Sequence, residues 1–316
     1  MRYIHYSIED LDGHFAGALA RSFADSRRLE YQMVPSGDDR PFDVRKYVAG
    51  DRLIFLDWVP DVDIAWLVSQ GLVVVISTRK AAEKMVGRVP GPCLILPQNG
   101  EAACELASRY FFQSVNLATR LVGAYKTWRK TDPDWDNLVV PFQYWLRSKE
   151  TDPATEEGYR FLSSVCRWDY VPEECLRAGR EHADYEAIQN RRAARERTFQ
   201  VRFAGLRFLA VNGPATWDWF QPVWDPVLYD AAMSFSLKNG RWTVNLYTDK
   251  PGVNVAFVAE RHGGGRAQQA SFQVSDIYDV VNGGNRPAPV VTPLSTKPTK
   301  NGRRGIPYAA ALAEVI

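Results

Sequence analysis

A chain of 316 residues is long enough for two domains of about 100–200 residues, and 46% hydrophobic with 24% charged residues is a soluble globular composition, not a disordered or fibrous one. With 39 basic and 37 acidic side chains the net charge is +2, which excludes a general pull toward nucleic acid and leaves any phosphate binding to a local pocket. Four cysteines without a Cys-x-x-Cys pair and four histidines argue against a zinc site, the polar start Met1–His14 is no leader peptide, and the most apolar run, Leu72–Ile76, is far short of the roughly 20 residues of a membrane span; no membrane partner is expected, and the setting expected is a reducing cytoplasm.

Along the chain, the pattern predicts a strand over Arg2–Tyr6, then a helix over Gly13–Ser26 with Phe15, Leu19 and Phe23 at helical spacing. A strand over Arg52–Leu56 is closed by Asp57, a short helix follows over Ile64–Gln70, and Leu72–Ile76 reads as a second buried strand. Continuous apolar strands alternating with helices predict an α/β fold whose parallel sheet is covered on both faces. Ligands of such sheets bind beyond the carboxyl ends of the strands, where Asp10, Asp12, Asp57 and Ser77–Arg79 fall.

Residues 101–130 and 154–198 read as helical, with Asp184–Arg197 as a charged, solvent-facing linker helix. From Thr198 the pattern changes. Phe199–Asn212, Ala232–Leu237 and Arg241–Tyr247 alternate as strands, and Lys238-Asn239-Gly240 is a hairpin turn signal, since Asn-Gly supplies positive φ. The expected organisation is a parallel-sheet α/β domain over 1–150, a helical connector over 151–198, a smaller α/β domain over 199–280, and a linker and tail over 281–316. Pro287, Pro289, Pro293 and Pro298 oppose regular structure in that tail, while Pro307–Ile316 suits a short terminal helix.

Three features occur in order. His5-Tyr6-Ser7-Ile8-Glu9-Asp10-Leu11-Asp12-Gly13 follows a strand, Leu53–Asp57 is a strand ending in an acid, and His262-Gly263-Gly264-Gly265-Arg266 lies near the C-terminus. A histidine with three aspartates at strand ends suits manganese or magnesium, and two such ions can clamp a phosphoryl displacement. A glycine run lets backbone N–H groups approach an anion.

In these features, over roughly residues 1–280, the chain resembles the DHH phosphoesterases, nearest their oligoribonuclease and cyclic-nucleotide phosphodiesterase branch. His5 to Gly13 is similar to the family's first motif, with a longer spacing after the histidine, and Asp57 matches the lone aspartate of the second. Asn245–Phe272 looks like the DHH-associated C-terminal domain, whose glycine loop binds substrate phosphate. The resemblance implies metal ligands at His5, Asp10, Asp12 and Asp57. It also shows departures: the Asp-His-His motif falls on Ser77-Thr78-Arg79, a later metal-binding aspartate on Lys126 of Tyr125-Lys126-Thr127-Trp128, and the loop's closing histidine on Arg266.

Arg79, Lys126 and Arg266 are thus cations at positions where the family holds metal or phosphate. Either they neutralise Asp10, Asp12 and Asp57, or with Gly263, Gly264 and Gly265 they form an anion cradle. His5 is a ligand or a satisfied core histidine. Glu9, Asp132, Asp134 and Asp136 are candidate replacement ligands. Trp217, Trp219 and Trp224 read as packing or as a stacking surface. Arg191–Arg197 reads as a solvated helix face, and Lys297–Arg304 as a soluble tail. No histidine is placed to activate Cys104 as a nucleophile.

The leading expectation is a binding protein on a degenerate phosphoesterase scaffold, catalytically inactive, with a nucleotide, short oligonucleotide or protein as partner. The alternatives are an active metal-dependent phosphodiesterase on short oligonucleotides or cyclic (di)nucleotides, and a purely structural or regulatory scaffold. No cofactor is expected; if one binds, it is manganese or magnesium.

Overall fold

The computed structural model describes residues 1–37, 40, 42–60, 62, 67–68, 73–83, 86–87, 94–97, 100–238, 240–260 and 268–281. The helix expected over Ile64–Gln70 lies mostly outside these, as do the loop Gly263–Arg266, the basic run Lys297–Arg304 and the tail beyond Val281.

The chain is α/β. Strands β1 (Arg2–Ser7), β2 (Gln32–Ser36), β3 (Arg52–Leu56), β4 (Val73–Ile76) and β5 (Leu94–Ile95) form a wholly parallel sheet in the order β2-β1-β3-β4-β5. Strand alternation sends Ile4, Tyr6, Leu56, Val74 and Ile76 into one core, and Leu53, Phe55, Val73 and Val75 into another on the opposite face. Both faces are covered, as the continuous apolar strands require. The order reverses between β1 and β3, so the crevice at their carboxyl ends is the switch point of the sheet.

The first core is closed by α1 (Leu11–Ser26), α3 (Ala103–Phe112), α4 (Leu117–Lys126), α5 (Val140–Arg147) and α6 (Glu156–Val165); a short α2 (Lys80–Glu83) follows β4. The long α7 (Glu173–Arg197) packs along α5. Leu162, Val165, Cys175 and Leu176 are buried in this same core, so the segment expected to connect two domains contributes to the first. The charged half of α7 is mostly exposed, with Ala194 buried. Strand β2 carries Pro35, which hides it from a propensity reading; it is an edge strand, where a missing N–H is tolerated.

The second sheet, β10-β9-β8-β7-β6, joins β6 (Phe199–Phe203), β7 (Leu206–Asn212), β8 (Ala231–Lys238), β9 (Arg241–Tyr247) and β10 (Gln269–Val274), with only the β7–β8 pair parallel. Lys238 pairs with Arg241 across the expected hairpin, and Gly240 has φ +74. Short helices α8 (Trp217–Phe220), α9 (Ala256–Glu260) and α10 (Tyr278–Val281) cover it. On one face Phe208, Met233, Val244 and Phe272 pack with Val258 and Val280. On the other, Phe220 and Tyr247 are packed by Trp217, Trp219 and Trp224, with the Trp217 and Trp224 rings 5.1 Å apart. The three tryptophans are half-buried and pack against this face.

Candidate functional site

The three aspartates converge at the switch point. Asp10 is the N-cap of α1 and accepts from the Gly13 N–H at 3.2 Å. Asp12 follows in the first helical turn and is buried. The turn hugs the end of β1: a Cβ on Gly13 would lie 2.2 Å from the Ser7 carbonyl oxygen. Asp57 ends β3 with φ +49, a left-handed backbone that aspartate tolerates better than most residues, while its N–H donates to the Ile76 carbonyl at 2.8 Å. One carboxylate oxygen from each of Asp10, Asp12 and Asp57 lies within 4.8 Å of the others, so the cluster could hold a metal ion.

Lys126, the last residue of α4, reaches into this cluster. Its ammonium donates to Asp10 Oδ2, lies 3.5 Å from Asp57 Oδ2 and 4.0 Å from Asp12 Oδ2. Lys126 thus stands among Asp10, Asp12 and Asp57 as a neutralising cation, one of its two readings from the sequence. Thr78 Oγ1 donates to Asp57 Oδ1 at 3.3 Å, so a residue at a displaced motif position also turns toward the acids.

Asp12 has a second task. Its Oδ1 accepts from the Cys104 N–H at 2.7 Å and its Oδ2 from the Ala103 N–H at 3.2 Å, capping α3 where Ala102 at the N-cap has no side-chain acceptor. Glu105 returns to the Ala102 N–H at 3.0 Å. This capping role was not read from the sequence. Its only trace there is a helix start lacking Ser, Thr, Asp or Asn, a deficit that a distant carboxylate fills.

The electrostatics follow from burial. Burial and then the neighbouring Asp57 charge push the Asp12 carboxyl up to about 7, against the pull of Lys126. Burial also raises Asp57, again opposed by Lys126. Burial alone would raise Asp10, but the charge and hydrogen bond of Lys126 outweigh it, and the net shift is down. The three carboxylates overcome burial at Lys126 and hold its ammonium charged well above the ordinary lysine range.

Arg79 lies beside this cluster, but its guanidinium is directed to Glu9 Oε2 at 2.7 Å and Ser7 Oγ at 3.3 Å. Glu9 is therefore engaged by Arg79, and Asp132 and Asp134 by Arg120 at 3.0 and 2.7 Å; the structure brings none of these three into the aspartate cluster.

His5 is not brought to the aspartates. Strand alternation turns it to the opposite face from Tyr6, where its ring stacks on Phe55 at 4.9 Å. Its Nδ1 bonds Ser36 Oγ and its Nε2 bonds the Tyr47 hydroxyl, each at 3.0 Å, and burial lowers its pKa to about 3. It is a satisfied core histidine. Cys104 is buried against the Thr119 carbonyl, and burial pushes its thiol up, which is the environment of an inert cysteine. No helix among the described residues is long and apolar enough to cross a membrane. Gly263, Gly264, Gly265 and Arg266 lie outside the described residues.

No protein-family model matches the chain, and no curated protein matches it. Solved structures similar to it include RecJ with Mn2+ from Thermus thermophilus (TM-score 0.47, 11% identity, covering 88% of this chain and 50% of that one). An exopolyphosphatase-related protein from Bacteroides fragilis is similar at TM-score 0.46 and 10% identity, over 87% of each chain. The pGpG-specific phosphodiesterase PggH from Vibrio cholerae is similar at TM-score 0.41 and 10% identity, over 88% of this chain and 94% of that one. At these scores the likenesses carry no residue role over to this chain.

Proposed function

We propose that this protein acts by binding and not by metal-assisted hydrolysis, with Lys126 serving as a built-in cation in a phosphoesterase-like pocket. One observation carries the reading: the Lys126 ammonium stands within 4.0 Å of an oxygen from each of Asp10, Asp12 and Asp57. A tethered ammonium at the meeting point of three carboxylates takes the place a divalent ion would need, and the two charges repel. Both Asp12 oxygens also accept N–H groups of α3. The donor set present suits an ammonium better than a pair of divalent ions, whose ligands must be free and deprotonated.

Lys126 and Arg79 are committed to carboxylates, so the described side of the crevice offers little attraction to phosphate. A nucleotide or short oligonucleotide would rely on Arg266 and the glycines before it; without that contribution the partner is a protein. A second reading, a metal-dependent phosphodiesterase, is favoured by the 4.8 Å carboxylate spacing and requires Lys126 to swing out.

The test is calorimetry of Mn2+ binding and hydrolysis of short oligoribonucleotides and cyclic dinucleotides, on wild type, Lys126→Ala and Lys126→Asp. The expected result is neither metal binding nor turnover by wild type, and Mn2+ binding by Lys126→Asp. Wild-type turnover above about 1 s⁻¹ that Asp57→Ala abolishes would overturn the reading. Titration of nucleoside monophosphates into wild type and Arg266→Ala separates the nucleotide from the protein partner.

A further inference from the structure

At the amino end of the parallel sheet, opposite the aspartates, a cavity of about 140 Å³ opens between the sheet and the C-terminal ends of α1 and α3. Ile4, Ile54 and Val74 form its floor, and Phe23 and Phe111 its walls. From the floor residue Ile54 to Asp57 is three residues along β3, roughly 10 Å at about 3.3 Å per residue. Nothing in the reading of the aspartate crevice uses this cavity.

Two arginines line the mouth of this apolar space, Arg2, half-buried, and Arg52, exposed to solvent. They are register partners on the adjacent strands β1 and β3, so their side chains leave the sheet on the same face, side by side. Neither guanidinium has an ion pair or side-chain hydrogen bond among the described residues. Adjacent like charges on a sheet repel each other, and a bound anion between them would relieve that repulsion. Two guanidinium groups at the edge of a hydrocarbon cavity match one carboxylate carrying an apolar body. The volume sets the body's size, since an apolar cavity of about 150 Å³ accepts a benzene ring.

We propose that this cavity binds a small amphipathic carboxylate, with an aromatic ring or a branched alkyl group of similar size between α1, α3 and the sheet, and its carboxylate held by Arg2 and Arg52. The site is distinct from the aspartate crevice and independent of whether that crevice binds metal or nucleotide. The probe is 3-phenylpropionate, with neutral 3-phenylpropanamide as its uncharged counterpart, titrated into the full chain by calorimetry. Wild type is expected to bind the acid with a Kd of about 0.1–1 mM, the range open to some ten heavy atoms, and at least about tenfold more tightly than the amide. The double variant Arg2→Gln/Arg52→Gln should lose that preference, and Ala20→Leu, which fills the cavity, should lose both ligands; amide spectra report that each variant is folded. Absence of saturable binding of the acid up to about 10 mM, ten times the weakest expected Kd, overturns the proposal. So does a preference for the acid that survives in the arginine double variant, since the carboxylate would then be held elsewhere.

Discussion

The Lys126 ammonium lies 3.5 Å from Asp57 Oδ2, tying the end of α4 to the end of β3 across the switch point of the sheet. Asp57 is 1% exposed, so its charge depends on that partner. Lys126→Ala leaves buried carboxylates uncompensated, and removing one partner of a buried pair costs about 3–5 kcal/mol. Urea denaturation at pH 7 should show a loss of about 3 kcal/mol or more. The loss should narrow at pH 5, because Asp12, whose carboxyl burial and the Asp57 charge push up to about 7, is then protonated and no longer needs the cation. A pH-independent loss would mean that Lys126 matters through packing alone.

Asp12 should separate capping from charge. Its carboxylate accepts two N–H groups at the start of α3, and its pKa of about 7 leaves it partly neutral at neutral pH. Asp12→Asn keeps an oxygen for one of the two N–H groups but turns its NH2 against the other, and should cost about 1 kcal/mol. Asp12→Ala strands two buried donors and should cost about 2 kcal/mol or more. Equal losses in the two variants, measured by denaturant melts at pH 7, would show that the charge and not the cap is what stabilises.

Much of this arrangement was legible in the sequence because it rests on strand ends. The apolar runs at Arg52–Leu56 and Val73–Ile76 announce parallel strands, and acids placed after them must meet at the carboxyl edge. Lys126 was readable through its motif position and its charge, which needs a carboxylate when buried. His5 was misleading because it sits close in sequence to Asp10 and Asp12, whereas the two-residue period of β1 sends it through the sheet to Ser36 and Tyr47. The capping of α3 by Asp12 spans 91 residues, a contact with no local signature. Glu9 and Asp134 looked like spare ligands, and only the positions of Arg79 and Arg120 reveal their partners.

Helix α7 tests the claim that the segment after residue 151 belongs to the first core. Gly179 on α7 faces α5 so closely that a Cβ would lie 1.9 Å from the Pro141 carbonyl oxygen. Backbone meets backbone there, so no side chain can yield. Although alanine is the better helix former, Gly179→Ala should push the two helices apart and lower stability by about 1–3 kcal/mol. Calorimetric melting should show the shift in the transition that melts the parallel-sheet core. A neutral or stabilising effect would mean that the α5–α7 crossing is loose.

His5 gives the clearest dependence on pH. Burial lowers its pKa from 6.5 to about 3, and both ring nitrogens are engaged by Ser36 and Tyr47. A folded pKa below the unfolded one means that the unfolded chain takes up the proton first. The stabilisation is therefore complete above about pH 6.5 and is lost as the pH falls toward 3. At pH 5 the unfolded histidine is almost fully protonated while the buried one is neutral, a difference of about 2 kcal/mol. His5→Gln retains hydrogen-bonding capacity but cannot titrate. It will lower stability at pH 7, through lost packing on Phe55 and Trp58, yet its stability should fall less steeply than that of wild type between pH 7 and pH 5. Urea melts of both proteins at the two pH values give the comparison directly, since every other titrating group is shared. If the two slopes coincide, His5 is either protonated in the fold or reached by solvent, and the aromatic nest around it is more open than its 1% exposure implies.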